Sequence, residues 1–230
     1  MNIITSETTE NMETTSLRTQ SDVQTKISKK VYIKVKRVID VILASIALIL
    51  LSPLFAIIAI AIKIDSKGPV FFEHKRIGKN GKIIKLYKFR SMVINAEELI
   101  KSFTPEQMKE YKANYKLTND PRITKVGKFL RKTSLDELPQ LINIINGDLS
   151  IIGPRPVVAD ELEKYGVNKD KFLSVTPGLT GYWAANGRSN TTYEQRMEME
   201  LYYIDNLSLK MDIKVFFKTI LSVVKKEGAR

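Results

Sequence analysis

From Val41 to Ile62 the chain runs for 22 residues without a charge, VILASIALILLSPLFAIIAIAI, and the polar positions that bracket this run are basic on both sides. As a helix the run measures roughly 33 Å, close to the hydrocarbon thickness of a bilayer. That is too long for an ordinary core helix. It also begins too far into the chain, without a small-residue cleavage pattern, to be a cleaved signal peptide. Ser52 and Pro53 stand at its centre, where proline removes a backbone hydrogen bond and presses on the preceding turn, and where a serine hydroxyl helps to satisfy what is freed. Lys26, Lys29, Lys30, Lys34, Lys36 and Arg37 precede the run, and Lys63, Lys67, Lys75, Arg76 and Lys79 follow it, so the positive-inside rule puts both ends in the cytoplasm. The pattern predicts a re-entrant anchor over residues 31–64, a helix-break-helix that turns at Ser52-Pro53 and leaves by the face it entered. A straight span is the alternative.

Before the anchor, residues 1–30 are rich in Thr, Ser, Glu, Gln and Asn and hold few large apolar side chains, which predicts a disordered cytoplasmic tail. After it, Pro69 to Arg90 alternates apolar and polar positions around Gly78-Lys79-Asn80-Gly81, a β-hairpin pattern. Helical periodicity follows over Ala96 to Lys116, with a break near Pro105, and from Gly127 through Leu138 to Ile145. Gly147 to Val158 reads as loop, Asp160 to Tyr165 as a short helix, Thr176 to Arg188 as a glycine-rich loop or short strand, and Thr192 to Asn206 as a helix. In Leu209 to Lys226, Lys210, Lys214 and Lys218 share one helical face beside Ile213, Phe216, Phe217 and Ile220. That helix lies at a membrane surface or docks on the domain. The whole predicts an α+β architecture: the re-entrant helix, a small hairpin, and a mostly helical cytoplasmic catalytic domain over 65–230 with amphipathic interfacial helices.

Composition narrows the chemistry. A net charge of +12 suits anionic lipid or anionic substrates, and the anchor makes nucleic acid the weaker partner. With no cysteine and a single histidine, His74, the chain has no disulfide, no Cys-ligated metal and no His-based zinc site. Carboxylates, Lys, Arg and hydroxyls must carry any reaction. Ser134 and Glu137 are spaced as a capping box that would start a helix and place Asp136 and Glu137 at its positive end. Arg131 and Lys132 stand just before this pair, Pro154-Arg155-Pro156 follows it, and Lys88 and Arg90 cluster in Tyr87-Lys88-Phe89-Arg90-Ser91-Met92. Adjacent carboxylates among cations suit phosphate chemistry, with a carboxylate that attacks phosphorus or binds a divalent ion.

These elements, in order, resemble the bacterial sugar transferases, the monotopic phosphoglycosyl transferases. The resemblance runs from about Lys34 to the C-terminus. It rests on Lys36-Arg37-Val38-Ile39-Asp40, Ser52-Pro53, Lys88-Phe89-Arg90-Ser91-Met92, and Leu130-Arg131 with Ser134-Leu135-Asp136-Glu137-Leu138-Pro139-Gln140. Further on come Gly147-Asp148-Leu149-Ser150 with Gly153-Pro154-Arg155-Pro156, and Pro177-Gly178-Leu179-Thr180-Gly181 with Asn186-Gly187-Arg188. The resemblance implies transfer of a hexose 1-phosphate from a UDP-sugar to polyprenyl (undecaprenyl) phosphate, with release of UMP, at the cytoplasmic face of the cell membrane, as the first membrane step of exopolysaccharide or capsule synthesis. It implies Asp136 as nucleophile, placed near a Mg2+ ion, and Glu137 as its partner carboxylate. Lys88, Arg90, Arg131, Arg155 and Arg188 become the phosphate and nucleotide contacts. Many relatives carry Trp-Gln-Val where this chain reads Trp183-Ala184-Ala185, so the resemblance fixes a reaction class and not a sugar. With no further apolar segment, the chain resembles the minimal catalytic form. The rival readings are a membrane-bound phosphatase or nucleotide hydrolase, and a membrane-attached binding protein.

Overall fold

The computed structural model describes residues 4–114, 117, 119–187 and 191–224, with side chains over 29–111, 117, 119–187 and 191–222. A first helix, α1 (Ile4–Asp65), contains the apolar run, and Pro53 lies inside it without ending it. The carbonyl that Pro53 cannot pair, that of Ile49, accepts the Ser52 hydroxyl at 2.8 Å, so the predicted break is bridged and the helix continues. In the structure α1 extends back to Ile4. Residues 4–30 contain neither proline nor glycine to break a helix.

The hairpin forms as predicted, with β1 (Phe71–Ile77) antiparallel to β2 (Ile83–Phe89). Asn80 and Gly81 take positive φ in the turn, which is why the Asn-Gly pair closes it. Helices α2 (Ala96–Leu99), α3 (Pro105–Asn114), α4 (Lys125–Thr133) and α5 (Gln140–Asn146) follow. The break predicted near Pro105 is the start of α3, while Lys116 lies outside the described residues. A strand β3 (Ser150–Ile152) pairs in parallel with β4 (Gly178–Thr180) across α6 (Ala159–Glu163) and α7 (Lys169–Leu173). The chain then passes through α8 (Tyr182–Asn186), α9 (Tyr193–Asp205) and α10 (Leu209–Val224). Over the described residues the result is a mostly helical α+β fold with two small sheets.

Between Tyr32 and Asp65, one face of α1 packs on the domain. Ala44 joins Ile84, Leu86, Leu141 and Ile144 in one buried cluster, and Ile58 and Ile62 join Phe89 and Leu130 in another. The ends are tied by polar groups. Arg37 donates to the carbonyls of Ile144 and Ile145 at the end of α5, and Asp40 accepts from the Ser150 hydroxyl at 2.7 Å and from the Ile151 N–H at 3.2 Å. At the far end Asp65 accepts the Val126 N–H at 3.0 Å. The opposite face of α1, including Ile42, Ile46, Ile49, Leu50, Ile57, Ile60 and Ile64, is exposed and apolar. The two readings of the last helix both find a counterpart. Asp212 and Val215 of α10 are buried against the domain, while Ile213, Phe216, Phe217, Ile220 and Leu221 face outward.

Candidate active site

Register on the hairpin builds the first wall. Phe72 pairs with Lys88, His74 with Leu86 and Arg76 with Ile84, and partners in an antiparallel ladder share a face. His74, Arg76 and Lys88 therefore project to one side, above buried Ile84 and Leu86. Asn143 of α5, fully buried, locks β2 there: its Oδ1 accepts the Tyr87 N–H at 2.9 Å and its Nδ2 donates to the Lys85 carbonyl at 2.7 Å.

Asp136 and Glu137 reach this wall differently from the capping-box prediction. The predicted continuous helix from Gly127 to Ile145 is broken. Ser134 ends α4 with a left-handed φ of 57°, and residues 135–137 form a single 3-10 turn before Pro139 and α5. Ser134 makes no side-chain cap there, so the carboxylates follow the carbonyl end of α4, among Arg131 and Lys132 of its last turn. Lys88 Nζ pairs with Glu137 Oε1 at 2.6 Å. Asp136 is only 9% exposed and sits beside the cleft rather than in its lining. Burial raises its pKa above the ordinary carboxylate value, and Glu137 adds to that rise, while Lys88 and Arg131 pull against it.

The second wall comes from the two small strands. A side chain on Gly178 would meet the Gly153 nitrogen at 2.2 Å, so β3 and β4 approach this closely only because both positions are glycine. Their pairing brings the Gly153-Pro154-Arg155-Pro156 and Pro177-Gly178-Leu179 segments together, and the Ile77 N–H donates to the Val157 carbonyl at 2.8 Å, which joins the hairpin to them. The cleft between is lined by Arg76, Lys88, Glu137, Gln140 and Arg155, with Leu179 among its apolar contacts. His74 lies near the same cations. Burial, then Arg76, Lys88 and Arg155, lower its pKa to about 4, so it is neutral at neutral pH.

Of the residues singled out from sequence, Lys88, Glu137 and Arg155 meet in the cleft and Asp136 adjoins it. Arg131 is held nearby, its Nε donating to the Ser91 hydroxyl at 2.9 Å. Arg90 goes elsewhere. It is buried, and its guanidinium donates to the carbonyls of Ser66 and Lys67 at 2.7 and 2.9 Å, capping the end of α1. Arg188 lies outside the described residues. Arg76 is the cleft residue that the sequence reading passed over. Its signal was present in the hairpin alternation, because pairing across Gly78-Lys82 puts it on the same face as Lys88.

A family model described as "Bacterial sugar transferase" matches residues 31–226. Among curated relatives, the undecaprenyl-phosphate galactose phosphotransferase of Salmonella typhimurium is 42% identical over 210 residues, covering 90% of this chain and 44% of that protein. The exopolysaccharide production protein ExoY of Rhizobium meliloti is 47% identical over 197 residues, covering 84% of this chain and 87% of that one. The UDP-glucose:undecaprenyl-phosphate glucose-1-phosphate transferase of Escherichia coli is 41% identical over 193 residues, 80% of this chain and 39% of that protein. This chain thus spans less than half the length of two of these relatives and most of the third.

Proposed function

The chain belongs to the bacterial sugar transferase family, and on that premise we propose that it moves a hexose 1-phosphate from a UDP-sugar to undecaprenyl phosphate through a covalent intermediate on Asp136. A carboxylate oxygen of Asp136 attacks the phosphorus bonded to the sugar. The bridging P–O bond breaks and UMP departs with its electron pair, leaving the phosphosugar esterified to Asp136. A phosphate oxygen of undecaprenyl phosphate then attacks the same phosphorus, freeing the carboxylate and forming the lipid-linked diphosphate sugar. Splitting the transfer lets one set of cations serve both displacements.

The observation that carries this reading is the convergence of Arg76, Lys88 and Arg155 on a cleft beside an adjacent Asp-Glu pair. Mg2+ fits the donor set. Asp136 with Glu137 offers hard carboxylate oxygens, and this ion is commonly held by one or two carboxylates together with substrate phosphates and water. The described residues contain no cluster of three or more acidic or His side chains, so Asp136 would hold the ion with substrate oxygens completing the shell. When bound, Mg2+ offsets the repulsion between a carboxylate and a phosphate.

Incubation of the membrane-embedded protein with undecaprenyl phosphate and a panel of UDP-sugars should give UMP release with one preferred donor and a matching lipid-linked product. UMP release that ignores undecaprenyl phosphate and yields no lipid product would replace this reading with a phosphatase or nucleotide hydrolase.

The acceptor's phosphate sits at a membrane surface, and the anchor fits that location. Both ends of the apolar run are tied to one domain, Asp40 to β3 and Asp65 to α4, while its outer face stays apolar and exposed. This supports a one-sided attachment at the cytoplasmic face, with the unbroken helix lying against the domain, over a span that would part the two ends. Cysteines placed before Arg37 and after Lys63 should label from the same side of sealed vesicles; opposite-side labelling would establish a span.

A further inference from the structure

Behind the cleft lies a second buried polar cluster, on the inner face of α9. Tyr193, Arg196 and Glu200 are three and four residues apart, which places them on one side of that helix. Arg196 is 7% exposed and Glu200 1% exposed. Burying two ionisable side chains costs free energy that an apolar pair would not, so their retention needs a reason. Their contacts supply one. Arg196 lies between the rings of Trp183 and Tyr193, 4.8 and 5.1 Å from their centroids, and its Nη1 pairs with Glu161 Oε1 at 3.1 Å. The other oxygen of Glu161 pairs with Arg76 at 3.3 Å. Glu200 Oε1 accepts the backbone N–H of Arg155 at 3.0 Å. Because Pro154 and Pro156 have no N–H, this is the one backbone donor that the Pro-Arg-Pro segment owns. Each cleft arginine is therefore held from behind by a carboxylate, Arg76 by Glu161, which also pairs with Arg196, and the Arg155 backbone by Glu200.

We propose that Glu200 and Arg196 are positioning residues for the nucleotide donor: Glu200 fixes Arg155 through its backbone, and Arg196 fixes Arg76 through Glu161, so that the two guanidiniums converge on a nucleoside diphosphate. The inference rests on the reading of the cleft as the donor site. It accounts for two buried ionisable side chains that do not line the cleft, and it gives Trp183 a role as a wall for Arg196.

The test is the affinity of the full-length protein for UDP, read by calorimetry without turnover. Glu200→Gln keeps an acceptor oxygen at the same reach and should bind UDP within about twofold of the unmodified protein, whereas Glu200→Asp keeps the charge, withdraws the oxygen by one methylene and should bind about tenfold more weakly. Arg196→Lys keeps a charge but loses the planar fork, and should also weaken UDP binding by about tenfold. In the transfer assay these losses should fall on the donor KM and leave kcat nearly unchanged. The reverse order of the two Glu200 variants, or unchanged UDP affinity in Glu200→Asp and Arg196→Lys, would overturn the proposal. A protein that binds UDP but passes no phosphosugar would overturn the transferase reading while leaving this one open to the same comparison.

Discussion

Asp136→Asn should lower transfer by roughly three orders of magnitude or more, because an amide oxygen cannot form the covalent intermediate and no neighbouring group replaces it. Glu137, the nearest alternative carboxylate, is engaged by Lys88 at 2.6 Å. The fold should survive the change. Asn matches Asp in shape, and Asp136 is a group whose charged form is already disfavoured by burial, so a neutral side chain removes a cost without opening a cavity. The variant should therefore sediment with membranes as the unmodified protein does and unfold at a similar or higher temperature. A radiolabelled sugar should remain on the unmodified protein after acid quench in the absence of undecaprenyl phosphate, and should be absent from the variant. UMP release at a near-normal rate by Asp136→Asn would sink the nucleophile assignment.

What could be seen in the sequence was what short-range chemistry dictates. The Gly78-Lys79-Asn80-Gly81 turn demands positive φ, and Asn80 and Gly81 supply it, so the hairpin was legible before its packing was known. The long apolar helix was legible from its charge-free run alone. Less legible were features set by contacts distant along the chain. Arg90 sits two residues from Lys88, and in a strand that spacing suggests the same face; β2 ends at Phe89, however, and Arg90 turns to the carbonyls at the end of α1. Ser134 and Glu137 have the spacing of a capping box, yet Ser134 adopts the left-handed conformation that stops α4, because α4 packs on α1 through Leu130 while α5 packs on β2 through Asn143. The resulting single turn is what presents Asp136 and Glu137 between two helices. Glu200 carried no local signal at all, since its partner is the backbone of a segment 45 residues away.

The charges around Asp136 can be separated by the pH dependence of the donor's kcat/KM. Only the ionised carboxylate attacks, so activity falls as pH drops through the Asp136 pKa, and whatever raises that pKa moves the acid limb to higher pH. Burial raises it most, Lys88 is the foremost cation lowering it, and Glu137 raises it as a like charge. Lys88→Met should therefore shift the acid limb upward, and it should also cost about a hundredfold in transfer at neutral pH, since the same ammonium lines the cleft proposed to take the donor phosphates. Glu137→Gln should shift the limb downward, because removal of a neighbouring negative charge eases ionisation of Asp136, even as its own loss of activity is severe, roughly tenfold to a hundredfold. The two variants thus agree in losing activity and differ in the sign of the displacement, which a general loss of folding would not produce. Displacement of both limbs in the same direction would show that Asp136 is not the group whose ionisation limits the reaction.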